Sequence, residues 1–167
     1  MESDLPFNLA GQCFMGSHDK TVDSQRRVAL PRPWRVQEEG DAFVLFPGRG
    51  GCLQLIPMAA FKPLFEKLLK VSFADPKAGP ALANLAALAQ QVVCDNQGRI
   101  AMTPALMAWA KLDKSAVLVG AFTTIQIWNP EAWQAAQMHP DRCLDVLQAI
   151  QDRPDDVTQI LRNAMKG

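Results

Sequence analysis

The chain has no excess of either charge: its 17 lysines and arginines offset 17 aspartates and glutamates. The whole molecule offers no net attraction to a polyanion, which counts mildly against nucleic-acid binding and leaves any such role to local clusters. No stretch approaches the ~18 apolar residues that span a bilayer. The start, with Glu2 and Asp4, lacks a basic segment followed by an apolar run, so neither membrane insertion nor secretion is expected. Cys13, Cys52, Cys94 and Cys143 stand far apart without a Cys-x-x-Cys pair, which suits reduced thiols in a cytoplasmic protein better than a disulfide or zinc framework. His18 and His139 are the only histidines and have no ligand-spaced partners, so no metal is expected. Ser17-His18-Asp19 holds triad residue types, but adjacency in one segment does not put a nucleophile, base and orienting acid in mutual reach. The glycine-rich run Pro47-Gly48-Arg49-Gly50-Gly51 lies between strand patterns and lacks the helix that a phosphate loop needs, so it reads as a turn.

What is present is a repeat. Asp23-Ser24-Gln25-Arg26-Arg27-Val28-Ala29-Leu30 falls on Asp95-Asn96-Gln97-Gly98-Arg99-Ile100-Ala101-Met102, an offset of 72 residues (95 minus 23). The register persists without a gap: Phe43-Val44-Leu45-Phe46 falls on Ser115-Ala116-Val117-Leu118, Gly48 on Gly120, Leu53-Gln54-Leu55-Ile56 on Ile125-Gln126-Ile127-Trp128, and Phe61 on Trp133. Each copy reads as strand, tight turn, strand, short helical turn, strand, glycine-containing turn, strand, helix. Asn96-Gln97-Gly98 between Val92-Val93-Cys94 and Ile100-Ala101-Met102 is a hairpin signal, since Gly98 takes a positive φ at little cost. Arg26 stands in that place in the first copy, at a cost of about 1 kcal/mol if the same φ is needed there, and adds a cation. Thr103-Pro104 opens a short helix through Leu106 and Trp109, and Asn129-Pro130-Glu131 repeats the start signal before Trp133.

Between the copies, Phe61, Leu64, Phe65, Leu68 and Leu69 follow helical spacing, as do Leu82, Leu85, Ala86 and Leu88, with a break at Asp75 to Pro80. Pro63 predicts a late start or a kink in the first of these helices. From Arg142, Leu144, Leu147 and Ile150, then Val157, Ile160, Leu161 and Ala164, predict two short amphipathic helices separated at Arg153-Pro154. Trp34, Trp109, Trp128 and Trp133 fall on apolar faces, as core residues rather than base-stacking platforms. Basic charge concentrates near the front: Lys20, Arg26, Arg27, Arg32 and Arg35 stand against Asp23 alone, and Glu38, Glu39 and Asp41 follow.

Each turn carries Asp-x-x-x-Arg, Asp23 with Arg27 and Asp95 with Arg99. An ion pair across the turn would merely fasten it, and such exposed pairs contribute roughly 0 to 1 kcal/mol. The same arginines present a donor fork suited to phosphate oxygens or a guanine edge, and a motif duplicated at one register suits a repeating polymer.

Asp95-Asn96-Gln97-Gly98-Arg99-Ile100 with Val117-Leu118-Val119-Gly120, Ile125-Gln126-Ile127-Trp128 and Trp133 resembles the second repeat of the MraZ family. Asp23 to Arg27, Pro31 and Gly51-Cys52-Leu53-Gln54-Leu55-Ile56-Pro57 resemble the first. The resemblance implies an α+β, mainly β fold: two tandem swapped-hairpin AbrB-like units forming one pseudo-symmetric domain, with short helices and a C-terminal helical extension. Its parts would be an N-terminal extension (1–13), a first repeat (14–70), a connecting helical segment (71–90), a second repeat (91–138) and a helical tail (139–167). It further implies a ring-shaped homo-oligomer in the cytoplasm and nucleoid. That ring would bind double-stranded promoter DNA at direct repeats upstream of the division and cell wall gene cluster, typically as a repressor, with no cofactor, small-molecule substrate or catalysis. Asp23, Arg27, Asp95 and Arg99 occupy the motif positions, with the arginines as DNA contacts; chemistry adds Arg26, Gln25 and Gln97. Arg26 departs from the family's usual glycine at the first turn. The other reading is an oligomeric protein-interaction scaffold of the same fold, suggested by the neutral charge and the C-terminal helices.

Overall fold

A computed structural model describes residues 13–35 and 41–166. The expected N-terminal extension, apart from Cys13, and the acids Glu38 and Glu39 lie outside the described residues. The chain divides into a unit over residues 1–133 and a second over 134–167.

The first unit is built on the repeat. The first copy supplies β1 (Ser17–Thr21), β2 (Arg27–Ala29), a 3-10 turn (Arg32–Trp34), β3 (Ala42–Pro47), β4 (Leu53–Pro57) and α1 (Met58–Leu68). After α2 (Ala78–Leu88), the second copy supplies β5 (Gln90–Val93), β6 (Arg99–Ala101), α3 (Pro104–Trp109), β7 (Ser115–Gly120), β8 (Ile125–Trp128) and α4 (Pro130–Ala136), inside which the boundary between the units falls.

Neither Asp-x-x-x-Arg turn joins two strands of one ladder. β1 leaves its turn to pair with β7, β5 pairs with β3, and β2 and β6 pair with each other, so each copy completes the other's sheet. The main sheet runs β1-β7-β8-β4-β3-β5, and β2-β6 is a separate ribbon. Both are antiparallel and nearly symmetric: Gln54 faces Gln126 across β4-β8 and Val28 faces Ile100 across β2-β6, each residue opposite its own equivalent in the other copy. A two-fold operation relating the copies would give this register. Alternation along the strands sends Leu45, Leu53, Leu55, Leu118, Ile125 and Ile127 inward, and Val28, Leu30, Ile100 and Met102 close the same core from the ribbon.

Local signals hold where they rest on caps. Thr103 Oγ1 accepts from Leu106 N at 3.2 Å, and Asn129 Oδ1 accepts from Glu131 N at 2.9 Å and Ala132 N at 3.3 Å. Pro63 and Pro80 both stand inside helices. Pro63 stands inside α1, which begins five residues before it, so the late start is not observed. Asp75 to Pro80 is not wholly a break, because Asp75 Oδ1 accepts from Lys77 N and Ala78 N and starts α2 at Ala78, leaving Pro80 in the first turn, where its missing N–H costs nothing. Trp34 and Trp128 are buried, but Trp109 is 52% exposed, held by its indole N–H at the Gly48 and Cys52 carbonyls.

The second unit holds α5 (Pro140–Asp152), a 3-10 turn (Pro154–Asp156) and α6 (Val157–Ala164). His139 caps α5, starting it two residues before Arg142; Ile160 and Ala164 are buried, and Leu144 and Leu147 are exposed. Among the described residues no helix is long and apolar enough to cross a membrane.

Candidate nucleic-acid interface

The two turns are built alike. In the first, Asp23 Oδ1 accepts from the amides of Gln25 and Arg27, each at 2.9 Å, and Arg27 Nε donates to Asp23 Oδ2 at 2.8 Å. In the second, Asp95 Oδ1 accepts from the amides of Gln97 and Arg99 at 2.9 Å, and Arg99 Nε donates to Asp95 Oδ2 at 2.8 Å. Backbone bonds close each loop: Asp23 N to the Arg27 carbonyl and Asp95 N to the Arg99 carbonyl, both 3.0 Å. Aspartate suits this position because a short carboxylate reaches amides two and four residues on without straining the chain.

These contacts fix the electrostatics. The Arg27 amide lowers the Asp23 carboxyl below its ordinary range; burial opposes it, and the Arg27 guanidinium and the Gln25 amide add to the lowering. The Arg99 amide leads the same set of effects at Asp95. Both aspartates are therefore ionised near neutrality, and each holds its arginine by one edge. Among the described residues the Arg27 and Arg99 guanidiniums bond only through Nε, so their terminal nitrogens have no protein partner, and the side chains are 29% and 26% exposed.

The ribbon aims both. Val28 and Ile100 occupy its buried face, so Arg27 and Arg99, one residue away on each strand, share the outward face. Arg27 pairs with Ala101 and Arg99 with Ala29, which makes the arginines diagonal neighbours, about 7–8 Å apart between Cα atoms. Gln25 and Gln97 sit exposed at the tips of the turns beside them.

Arg26 is placed differently. Its φ is +59°, matching Gly98 at +71°, so the residue adopts the strained left-handed conformation that the second copy leaves to glycine. Its Nε donates to the Met102 carbonyl at 3.0 Å, which ties the cation to the other copy. Arg35, which sequence reasoning counted only as part of a basic cluster, donates from Nε and Nη2 to the Leu30 carbonyl at 2.9 and 2.6 Å. The repeat held the signal that finds it, since Leu30 and Met102 are equivalent positions.

Elsewhere, His18 lies edge-on to Trp34 with ring centroids 5.0 Å apart, on a strand whose alternation turns it away from Ser17 and Asp19. The four thiols are free, and burial raises those of Cys52 and Cys94, the latter to about 11 with Asp41 adding to it.

A duplicated β protein with exchanged strands, showing two carboxylate-tethered arginines on one outward face, belongs to a narrow class. The MraZ protein family profile matches residues 13–83 and 85–140. A Transcriptional regulator MraZ from Thermomicrobium roseum is 38% identical over 122 residues, covering 73% of this chain and 85% of that protein. Proteins of the same name from Clostridium acetobutylicum and Carboxydothermus hydrogenoformans are 32% and 34% identical over 120 residues, each covering 72% of this chain and 84% and 83% of their own. The chain belongs to the MraZ family.

Proposed function

We propose that the protein is a sequence-specific regulator of transcription that binds double-stranded DNA through its two Asp-x-x-x-Arg turns. The observation carrying this reading is that Arg27 and Arg99 lie on one outward face with Nε tethered and, among the described residues, no partner on their terminal nitrogens. A guanidinium so held keeps its two-nitrogen edge for a phosphate or for the O6/N7 edge of guanine, with little rotamer freedom left to lose. The similar proteins named as transcriptional regulators support the same reading. Exposed Gln25 and Gln97 would reach base edges or phosphates next to the arginines. Arg26 contributes positive charge, but its Nε serves Met102 first.

The exchange of β1 and β5 between the copies we read as the swapped-hairpin arrangement. Exposed Leu64, Phe65, Leu69, Leu85 and Leu88, with Phe73 at 90% exposure, are the apolar surface expected of a self-associating subunit, and we propose closure into a ring. In a ring several turn pairs engage successive repeats, so modest contacts multiply into high avidity despite the zero net charge. The target would be direct repeats in the promoter of the division and cell wall gene cluster, the effect repression by occlusion, and the location the cytoplasm at the nucleoid.

Fluorescence anisotropy on DNA from upstream of the protein's own gene, against scrambled DNA, tests this. Wild type is expected to prefer its own sequence and Arg27→Ala plus Arg99→Ala to lose the preference; an unchanged preference in the double variant overturns the assignment.

A further inference from the structure

The repeat offset makes Leu30 equivalent to Met102, Gly98 to Arg26, and Arg35 to Met107. At each of two junctions the strand end of one copy meets the turn of the other. Leu30 N donates to the Gly98 carbonyl and Met102 N donates to the Arg26 carbonyl, both at 2.9 Å. At each junction the carbonyl of that same residue takes a guanidinium. Leu30 receives Arg35, and Met102 receives Arg26. The cations come from different places in the sequence. Arg35 reaches in over Gly98, where a Cβ would overlap its guanidinium, so glycine is what admits it. At the other junction position 107 is methionine, and the turn residue itself supplies the cation despite its positive φ.

We propose that Arg26 and Arg35 are positioning residues: Arg26 bonds its turn directly to the other copy's strand end, Arg35 bonds its own copy's strand end and packs over Gly98 of the other copy's turn, and these two clasps together fix Arg27 and Arg99 relative to each other. Arg26 joins the copies by a hydrogen bond and Arg35 by packing over the opposite turn. Neither arginine needs to touch DNA to act, because each works through the backbone that leads into β2 and β6. The DNA part of the proposal rests on the function proposed above; the clasp itself does not.

The test is amide hydrogen exchange with DNA affinity across a salt series, on the full chain. Arg26→Gly restores the glycine that the φ favours, so folding is not at risk. The clasp predicts faster exchange at Met102 by on the order of tenfold, with Leu30 unaffected, and Arg35→Met predicts the converse. Affinity for the preferred DNA falls several-fold in either single variant with an unchanged salt slope, whereas a direct phosphate contact would lower the slope by about one. Unchanged exchange at Met102 or a shallower slope in Arg26→Gly overturns the proposal. If wild type shows no DNA preference while the exchange pattern holds, the clasp stands and the DNA reading fails.

Discussion

Replacing Asp95 and replacing Arg99 separate the two things their ion pair can do. The Asp95 carboxylate takes three donors, the Gln97 and Arg99 amides and Arg99 Nε. Capping-type amide bonds of this sort are worth about 1 kcal/mol where solvent competes, and an exposed ion pair adds at most about 1 kcal/mol. The contributions overlap, so Asp95→Ala is expected to cost about 1–2 kcal/mol. For a chain of this size each kcal/mol lowers Tm by roughly 2–4 °C, which puts the variant roughly 2–8 °C below wild type. Arg99→Ala removes the ion pair and leaves both amide bonds, so its Tm falls by at most about 4 °C. Binding runs the other way. Losing one guanidinium edge from DNA costs about 1–3 kcal/mol in discrimination, whereas Asp95→Ala only frees Arg99 to rotate, a loss of about 0.5–1.5 kcal/mol. Calorimetric melting and anisotropy on the same four proteins, with Asp95→Asn as the isosteric control, give the crossed pattern or do not. If Arg99→Ala costs as much stability as Asp95→Ala and leaves DNA affinity intact, the arginine only fastens the turn and the reasoning is refuted.

Other outcomes follow from the same geometry. Because the Asp23 and Asp95 carboxyls lie below their ordinary range, the stability they contribute is complete above that range and is lost as pH falls through their lowered values. The melting difference between wild type and Asp95→Asn should accordingly be constant near neutrality and vanish in acid, and a difference that grows in acid contradicts it. Ile100 is fully buried opposite Val28, so Ile100→Ala should cost about 2–5 kcal/mol by denaturant titration, against about 0.5–1.5 for Ile100→Val. Cys94, buried with its thiol pushed up to about 11, should resist iodoacetamide near neutral pH in the native protein while half-exposed Cys13 and Cys143 react; labelling of Cys94 at the rate of Cys143, by mass mapping, would oppose this.

Much of the fold was legible because the chain states it twice. One offset located both turns and the four sets of equivalent strands, and the helix starts at Thr103 and Asn129 were legible because their side chains act within three residues of themselves. The partner of each strand was not legible locally: nothing in the alternation of Ser17 to Thr21 says that β1 pairs with β7 rather than with β2. Pro80 misled because a proline's cost depends on which carbonyl it deprives, and a first-turn position absorbs it; for Pro63 only the late start is excluded. At the site, Asp23, Arg27, Asp95 and Arg99 could be picked out as a motif, but the shared outward face and the engagement of Arg26 with Met102 depend on antiparallel pairing between the copies, a contact 76 residues apart for Arg26.

The most direct measurement is the salt dependence of binding to the gene's own upstream DNA for wild type, Arg27→Ala, Arg99→Ala and the double variant. The account predicts that each single change lowers the slope of log affinity against log salt by about one per engaged turn and that the double variant binds own and scrambled DNA alike. Slopes and preferences identical across all four proteins would contradict it.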